Sequence, residues 1–288
     1  MELSTGLDRV SRSAVMTALV FGIAQASALA DDEVTLAASQ DNTMFAESDD
    51  LSNGAGSRLF AGVTAMNDAR RALLSFDIAA AVPEGATITE ATLRLYMSKT
   101  ATSAKDVSLY RLLAAWGEGT SDAPDQEGTG APASIGDATW AHTFYDTDFW
   151  TIPGGEYVPT PSAVQSVGGL GFYEWGSTAE LVADVQLWLD DPSSNYGWIV
   201  IGDESGPKTA KRFDSRENPA EANRPALIVQ YVLVDCPADI TGDALVDVLD
   251  LLEVLSQWGG SGTADITGDG LVDVLDLLEV LGAWGPCE

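Results

Sequence analysis

Ala91-Thr-Leu-Arg-Leu-Tyr-Met97 decides the reading of the larger part of this chain. Leu93, Leu95 and Met97 face one way, Arg94 and Tyr96 the other. A period of two is the side-chain period of a strand, and one apolar face means a strand lying on a core. Working outward, similar runs stand at Ala72-Leu-Leu-Ser-Phe-Asp77, Val107-Ser-Leu-Tyr-Arg-Leu112, Gly197-Trp-Ile-Val-Ile201 and Ala226-Leu-Ile-Val-Gln-Tyr-Val232. Turn-forming residues separate them. Leu181 to Leu189, ahead of Asp191-Pro192, predicts one short helix. The pattern predicts a mainly β fold over residues 31–234, an antiparallel sandwich or jelly roll.

Composition narrows the function. Of 288 residues, 44 are Asp or Glu and 14 are Lys or Arg, a net charge of −30. That argues against a nucleic-acid or anionic-membrane binder, since phosphate contacts need Lys and Arg. With one His and two Cys, a His-rich zinc site is excluded by counting. A Ser-His-Asp or Cys-His engine would have to use His142, because both cysteines lie outside the large domain. His142, in Trp140-Ala-His-Thr-Phe144, reads as a loop residue among aromatics rather than a base. No Gly-rich phosphate loop or nucleophile elbow occurs. Acidic residues are so many that the sequence singles out no catalytic pair, and no catalytic residue is assigned.

Residues 1–30 read as a secretory signal. Arg9 and Arg12 supply the positive region, Ala14 to Ala26 the apolar one, and Ala28-Leu29-Ala30 the small-x-small cleavage site. The expectation is a secreted or cell-surface protein with no membrane span after cleavage, in a compartment that permits disulfides.

From Asp235 onward there are twelve acidic residues and no Lys or Arg. Here Asp239-Ile-Thr-Gly-Asp-Ala-Leu-Val-Asp-Val-Leu-Asp250 recurs 26 residues later as Asp265-Ile-Thr-Gly-Asp-Gly-Leu-Val-Asp-Val-Leu-Asp276. Extended through Trp-Gly, 18 of 21 aligned positions are identical, which marks a duplicated unit. Each copy has the spacing of a calcium loop. Asp239, Asp243, Asp247 and Asp250, then Asp265, Asp269, Asp273 and Asp276, fall at loop positions 1, 5, 9 and 12. Thr241 and Thr267 bring hydroxyls at position 3, and Leu245 and Leu271 bring backbone carbonyls at position 7. A hard cation takes six to eight oxygens, so two Ca2+ are expected. Position 6 needs a sharp turn, which suits Gly270 better than Ala244.

An apolar helix is expected after each loop, ending at Gly259 and at Gly285. In the first, Val248, Leu251, Leu252, Val254, Leu255 and Trp258 share one arc and read as its core face. Leu249, like Leu275 in the second copy, lies off that arc on the polar side.

A loop with only an exit helix resembles the type I dockerin repeat over about residues 236–288. The departures are Thr at position 3 and Ala244. The resemblance implies calcium binding and docking to a cohesin-like or other scaffold domain. It implies that loop positions 10 and 11, here Val248, Leu249, Val274 and Leu275, carry partner specificity. Many dockerins also close their termini, which would make a clasp of Cys236 and Cys287. The alternative is two free thiols.

The large domain has signposts in a fixed order: Arg70-Arg-Ala-Leu-Leu-Ser-Phe-Asp77, Val82-Pro-Glu-Gly-Ala-Thr-Ile-Thr-Glu-Ala-Thr-Leu-Arg-Leu-Tyr96, Val107-Ser-Leu-Tyr-Arg111, Trp116-Gly-Glu-Gly119, Val185-Gln-Leu-Trp-Leu189, Asn195-Tyr-Gly-Trp198, Phe213-Asp-Ser-Arg-Glu217 and Arg224-Pro-Ala-Leu-Ile-Val-Gln-Tyr231. Their order resembles the DNRLRE domain, carbohydrate-binding module family 96. The resemblance implies a jelly-roll sandwich that accompanies polysaccharide-degrading proteins, with acidic polysaccharides such as alginate as ligands of some members. Two sets of residues suit a glycan: the aromatics Trp140, Tyr145 and Trp150, and the basic stretch Lys208, Lys211 and Arg212. The expectation is a non-catalytic polysaccharide-binding or adhesion module docked through its tail. The alternatives are a lyase or glycoside hydrolase with its site in the sandwich, and a structural surface protein with no glycan ligand.

Overall fold

The computed structural model describes residues 32–233 and 236–287; the signal segment 1–30 lies outside the described residues. The large domain is mainly β. Its strands are β1 (Asp32–Ala37), β2 (Gln40–Phe45), β3 (Arg58–Val63), β4 (Ala69–Ser75), β5 (Thr87–Thr100), β6 (Lys105–Arg111), β7 (Ala163–Val167), β8 (Gly171–Trp175), β9 (Trp198–Ile201), β10 (Lys211–Asp214) and β11 (Ala226–Val232). They form one large curled antiparallel sheet in the order β1-β11-β5-β10-β3-β4-β9-β6-β7, with β8 also on β5 and β2 also on β4.

The curl turns on β3. Arg58 to Ala61 pair with β10, whereas Gly62 and Val63 pair with β4. Gly62 has φ 108, and a Cβ there would stand 3.0 Å from the backbone of Ala210. The strand can cross between the two halves of the sheet only because that position has no side chain.

The two halves enclose one core. Leu93, Leu95 and Met97 of β5 are buried with Leu74, Val107, Val200, Phe213 and Leu227, while Arg94 and Tyr96 face outward, as their alternation predicts. Helix α1 (Ala179–Asp190) starts where the Thr178 hydroxyl accepts the Leu181 N–H, and lies against β5. It buries Leu181, Val185, Trp188 and Leu189. Trp188 meets Trp198 at 4.5 Å between centroids. The carboxylate of Asp184 reaches in from the same helix, accepting from the Trp198 indole at 2.8 Å and pairing with Arg111 at 2.9 Å. Residues 112–160 fold over the outer face of one half, closing a smaller cluster around Met44, Leu73, Trp116, Trp150 and Ile199.

The tail has its own core: Ala238, Val246, Val254, Ala264, Val272 and Val280. Its helices are α2 (Val248–Ser256) and α3 (Val274–Gly282), each capped by the Asp before it. They end three residues short of the expected glycines because those glycines pair elsewhere. The Gly259 N–H donates to Val272 O at 2.8 Å, and Gly285 pairs with Val246. These two contacts interchange under the 26-residue shift, so each unit completes the other. Cys236 and Cys287 are disulfide-bonded, their Cα atoms 5.8 Å apart.

The expected core face of these helices requires correction. Of the residues assigned to it, Val254 is buried and Leu251 half-buried, whereas Val248, Leu252, Leu255 and Trp258 are about half exposed. The inward direction is set by Asp250, fully buried, which accepts the N–H groups of Thr241 and Asp247. Val254, one turn on, follows it inward. The broad apolar face is therefore outside, together with Leu249, and α3 repeats this with Val274, Leu275, Leu278, Leu281 and Trp284.

Candidate functional site: a basic cleft on the sheet

Strand pairing sets a row of side chains across three strands. Arg212 of β10 stands opposite Phe60 of β3 on one side and Lys99 of β5 on the other. Cross-strand partners share a face, so the row forms part of the lining of a cleft of about 350 Å³, closed by Thr64, Arg70, Gln126 and Gly128. Volumes of this size hold small ligands or part of a chain.

The electrostatics are unusual for so acidic a chain. Arg58, Arg70, Arg71, Lys105, Arg111 and Arg216 all have carboxylate partners. Among the described residues six cations have none, Arg94, Lys99, Lys208, Lys211, Arg212 and Arg224, and three of them, Lys99, Lys211 and Arg212, line this cleft. The Gln126 amide oxygen accepts from Arg212 Nη1 at 2.8 Å and Lys99 Nζ at 3.3 Å. Arg212 Nε donates to Ser98 Oγ at 3.1 Å. Burial and then the neighbouring Arg58 pull the Arg212 guanidinium below its usual value. A neutral acceptor thus holds two cations where an anionic ligand would replace it.

The six glycan candidates do not share one place. Lys211 as a ligand contact is corrected. Adjacent residues of a strand face opposite ways, so Lys211 points inward, fully buried, donating to Thr100 Oγ1 at 2.9 Å and Ser103 O at 2.8 Å. Its charge lies behind the cleft wall. Lys208 is exposed on the loop whose backbone N–H donates to Thr64 O at the rim. Trp150 is corrected as well. It is 4% exposed and donates its indole N–H to Thr139 O, so it cannot stack on a sugar. Trp140 is half-buried with Arg71 at 4.9 Å over its ring. Tyr145 is half-buried beside His142, whose ring also lies 4.3 Å from Phe149. None of these aromatics lines the cleft; Phe60 is its aromatic wall. Phe60, Lys99 and Gln126 were missed because they come from three distant segments joined only by register.

In the tail, both loops repeat one bonding scheme. Asp239 accepts the N–H groups of Gly242, Asp243 and Ala244, and Asp265 those of Asp269 and Gly270. Asp243 and Asp269 cap Leu245 and Leu271; Asp247 and Asp273 cap Leu249 and Leu275. Thr241 and Thr267 donate to Asp250 and Asp276. Hydrogen bonds hold the Asp276 carboxyl below its usual range. For Asp250, burial pushes upward but the Asp247 and Thr241 N–H groups outweigh it. Position 6 takes the left-handed turn in both loops, with φ 64 at Ala244 and 93 at Gly270. The donor set, all oxygen and without a cationic side chain, suits a hard cation. Among the described residues, however, the loop carboxylates do not gather in threes within 4.8 Å.

Residues 32–149 match the model of a family described as Carbohydrate-binding module family 96, which supports a carbohydrate-binding module in this part of the chain. Strands β9, β10 and β11, beyond the match, pair with strands inside it and complete the same sheet. No curated protein matches the chain.

Proposed function

We propose that the large domain is a non-catalytic polysaccharide-binding module that takes an acidic glycan in the Phe60–Arg212–Lys99 cleft. The observation that carries this reading is that Lys99 and Arg212, neither with a carboxylate partner, meet in one cleft of a chain with threefold more acids than bases. The family match supports a carbohydrate ligand. The curled sheet is then the jelly-roll sandwich of such modules. We read the chain as exported, on its first 30 residues.

The tail is proposed to be a dockerin-like device that binds two Ca2+ and presents α2 and α3 to a cohesin-like scaffold domain. Eight half-exposed apolar residues on two nine-residue helices, with Trp258 and Trp284 just beyond them, support an interaction surface. Val248, Leu249, Val274 and Leu275 belong to it. Duplication lets either helix present the same face.

Incubation with a panel of plant and algal polysaccharides tests the reading. Retention of the protein without cleavage supports a binder. New reducing ends or unsaturated products would favour the lyase or hydrolase alternative, and no retention by any glycan the structural one.

A further inference from the structure

Away from the cleft, three carboxylates from distant segments meet: Asp41 of β2, Glu118 of the loop after β6, and Glu217 of the loop after β10. Each offers an oxygen within 4.8 Å of the others. Asp41 is fully buried; its Oδ2 accepts the Arg216 N–H at 2.7 Å, and its Oδ1 has no donor. Glu217 Oε2 is likewise buried without a donor. Glu118 Oε1 accepts the Asp41 N–H at 2.8 Å. Among the described residues the one cation paired with them is Arg216, whose Nη1 reaches Glu118 at 2.9 Å and Glu217 at 3.0 Å. One guanidinium against three carboxylates leaves two negative charges uncompensated. An orphaned buried carboxylate oxygen costs several times what an ordinary hydrogen bond contributes.

We infer that Asp41, Glu118 and Glu217 form a calcium site, in which one Ca2+ ties β2 to the two loops. Bonds of about 2.3–2.6 Å place oxygens on one Ca2+ no more than about 5 Å apart, which the cluster meets. The donors are all oxygen, which favours a hard cation over zinc or copper. One strand and two loops offer no octahedral frame, which favours calcium over magnesium. The Glu118 and Glu217 side chains are 20% and 27% exposed, so the site opens to solvent and water completes the shell. Burial, then Glu217, push the Asp41 carboxyl well above its usual range. This site is independent of the tail loops and of the glycan reading.

Equilibrium dialysis with radioactive calcium at pH 7, on EDTA-stripped full chain, tests it against the tail. A chain with both tail loops disabled by Asp239→Ala and Asp265→Ala should still hold one ion. Adding Asp41→Asn should remove it, with the near-UV spectrum unchanged. If Asp41→Asn does not fold, Glu217→Gln, at the open rim, replaces it and should weaken the ion at least tenfold. No ion in the tail-disabled chain would overturn the inference, as would an ion indifferent to Asp41 and Glu217. Wild type binding one ion, lost only with Asp41 or Glu217, would uphold this site and sink the tail reading.

Discussion

Lys211 and Arg212 are neighbours in sequence and opposites in space. Sequence can find the basic stretch, yet only the strand's phase says which of the two meets a ligand. That phase was illegible because β10 is four residues long and too short to show alternation. Arg212→Ala should weaken acidic-glycan binding about tenfold, the loss of a charge-assisted hydrogen bond of roughly 1.5 kcal/mol, with stability unchanged. Titration calorimetry beside a melting curve checks both halves. Asp184 makes a different case. It holds Arg111, Ser162 and the Trp198 indole at once, and truncating it leaves all three short of a partner. Asp184→Ala should cost about 3 kcal/mol in urea unfolding. A cost under about 1 kcal/mol would mean water replaces the carboxylate. Ala244 carries φ 64 where its repeat mate is Gly270. Ala244→Gly should stabilise the calcium-loaded tail by about 1 kcal/mol, read from the calcium concentration needed to fold it.

The elements show why amphipathic pattern and burial need not coincide. In β5 they agree, since the whole strand lies on one large core and its alternation has only one face to bury. In α2 and α3 the apolar arc is plain in sequence, and the direction of burial is set by the capping carboxylates Asp250 and Asp276. A helix of nine residues on a core of valines and alanines has no room to bury a leucine-rich face. Leu249→Glu with Leu275→Glu should therefore leave calcium-dependent helicity intact and abolish capture by a scaffold domain, each single change being largely tolerated. Loss of helicity in the double variant would assign these leucines to the core. The same carboxylates set the tail's acid limit. Their folded pKa values lie below the unfolded value of about 3.9. The stability they supply is full above that value and lost as pH falls through the folded one. Tail helicity should hold at pH 5 and fall below about pH 4; a loss near pH 6 would point to another group.

At the scale of the molecule, the sheet and the tail are two units with separate cores. The duplicated tail was legible because its spacing is local; the disulfide, which the dockerin resemblance implied against two free thiols, joins the cysteines that bracket that unit. The cleft and the Asp41 cluster were not legible, because their members lie far apart in sequence and meet only through sheet register. Reducing the disulfide frees a closed segment of about 50 residues and should lower tail stability by roughly 4 kcal/mol in the chain-entropy model, leaving the melting of the sheet in place. A common melting shift of both units would show that they unfold as one. The cleft itself is tested most directly by titrating the full chain with a defined polyuronate oligosaccharide and its neutral counterpart, in wild type and in Lys99→Ala with Arg212→Ala. The expected result is binding of the acidic oligosaccharide alone, weakening with salt and falling about a hundredfold in the double variant. Equal binding of both sugars, or full binding by the double variant, would contradict it.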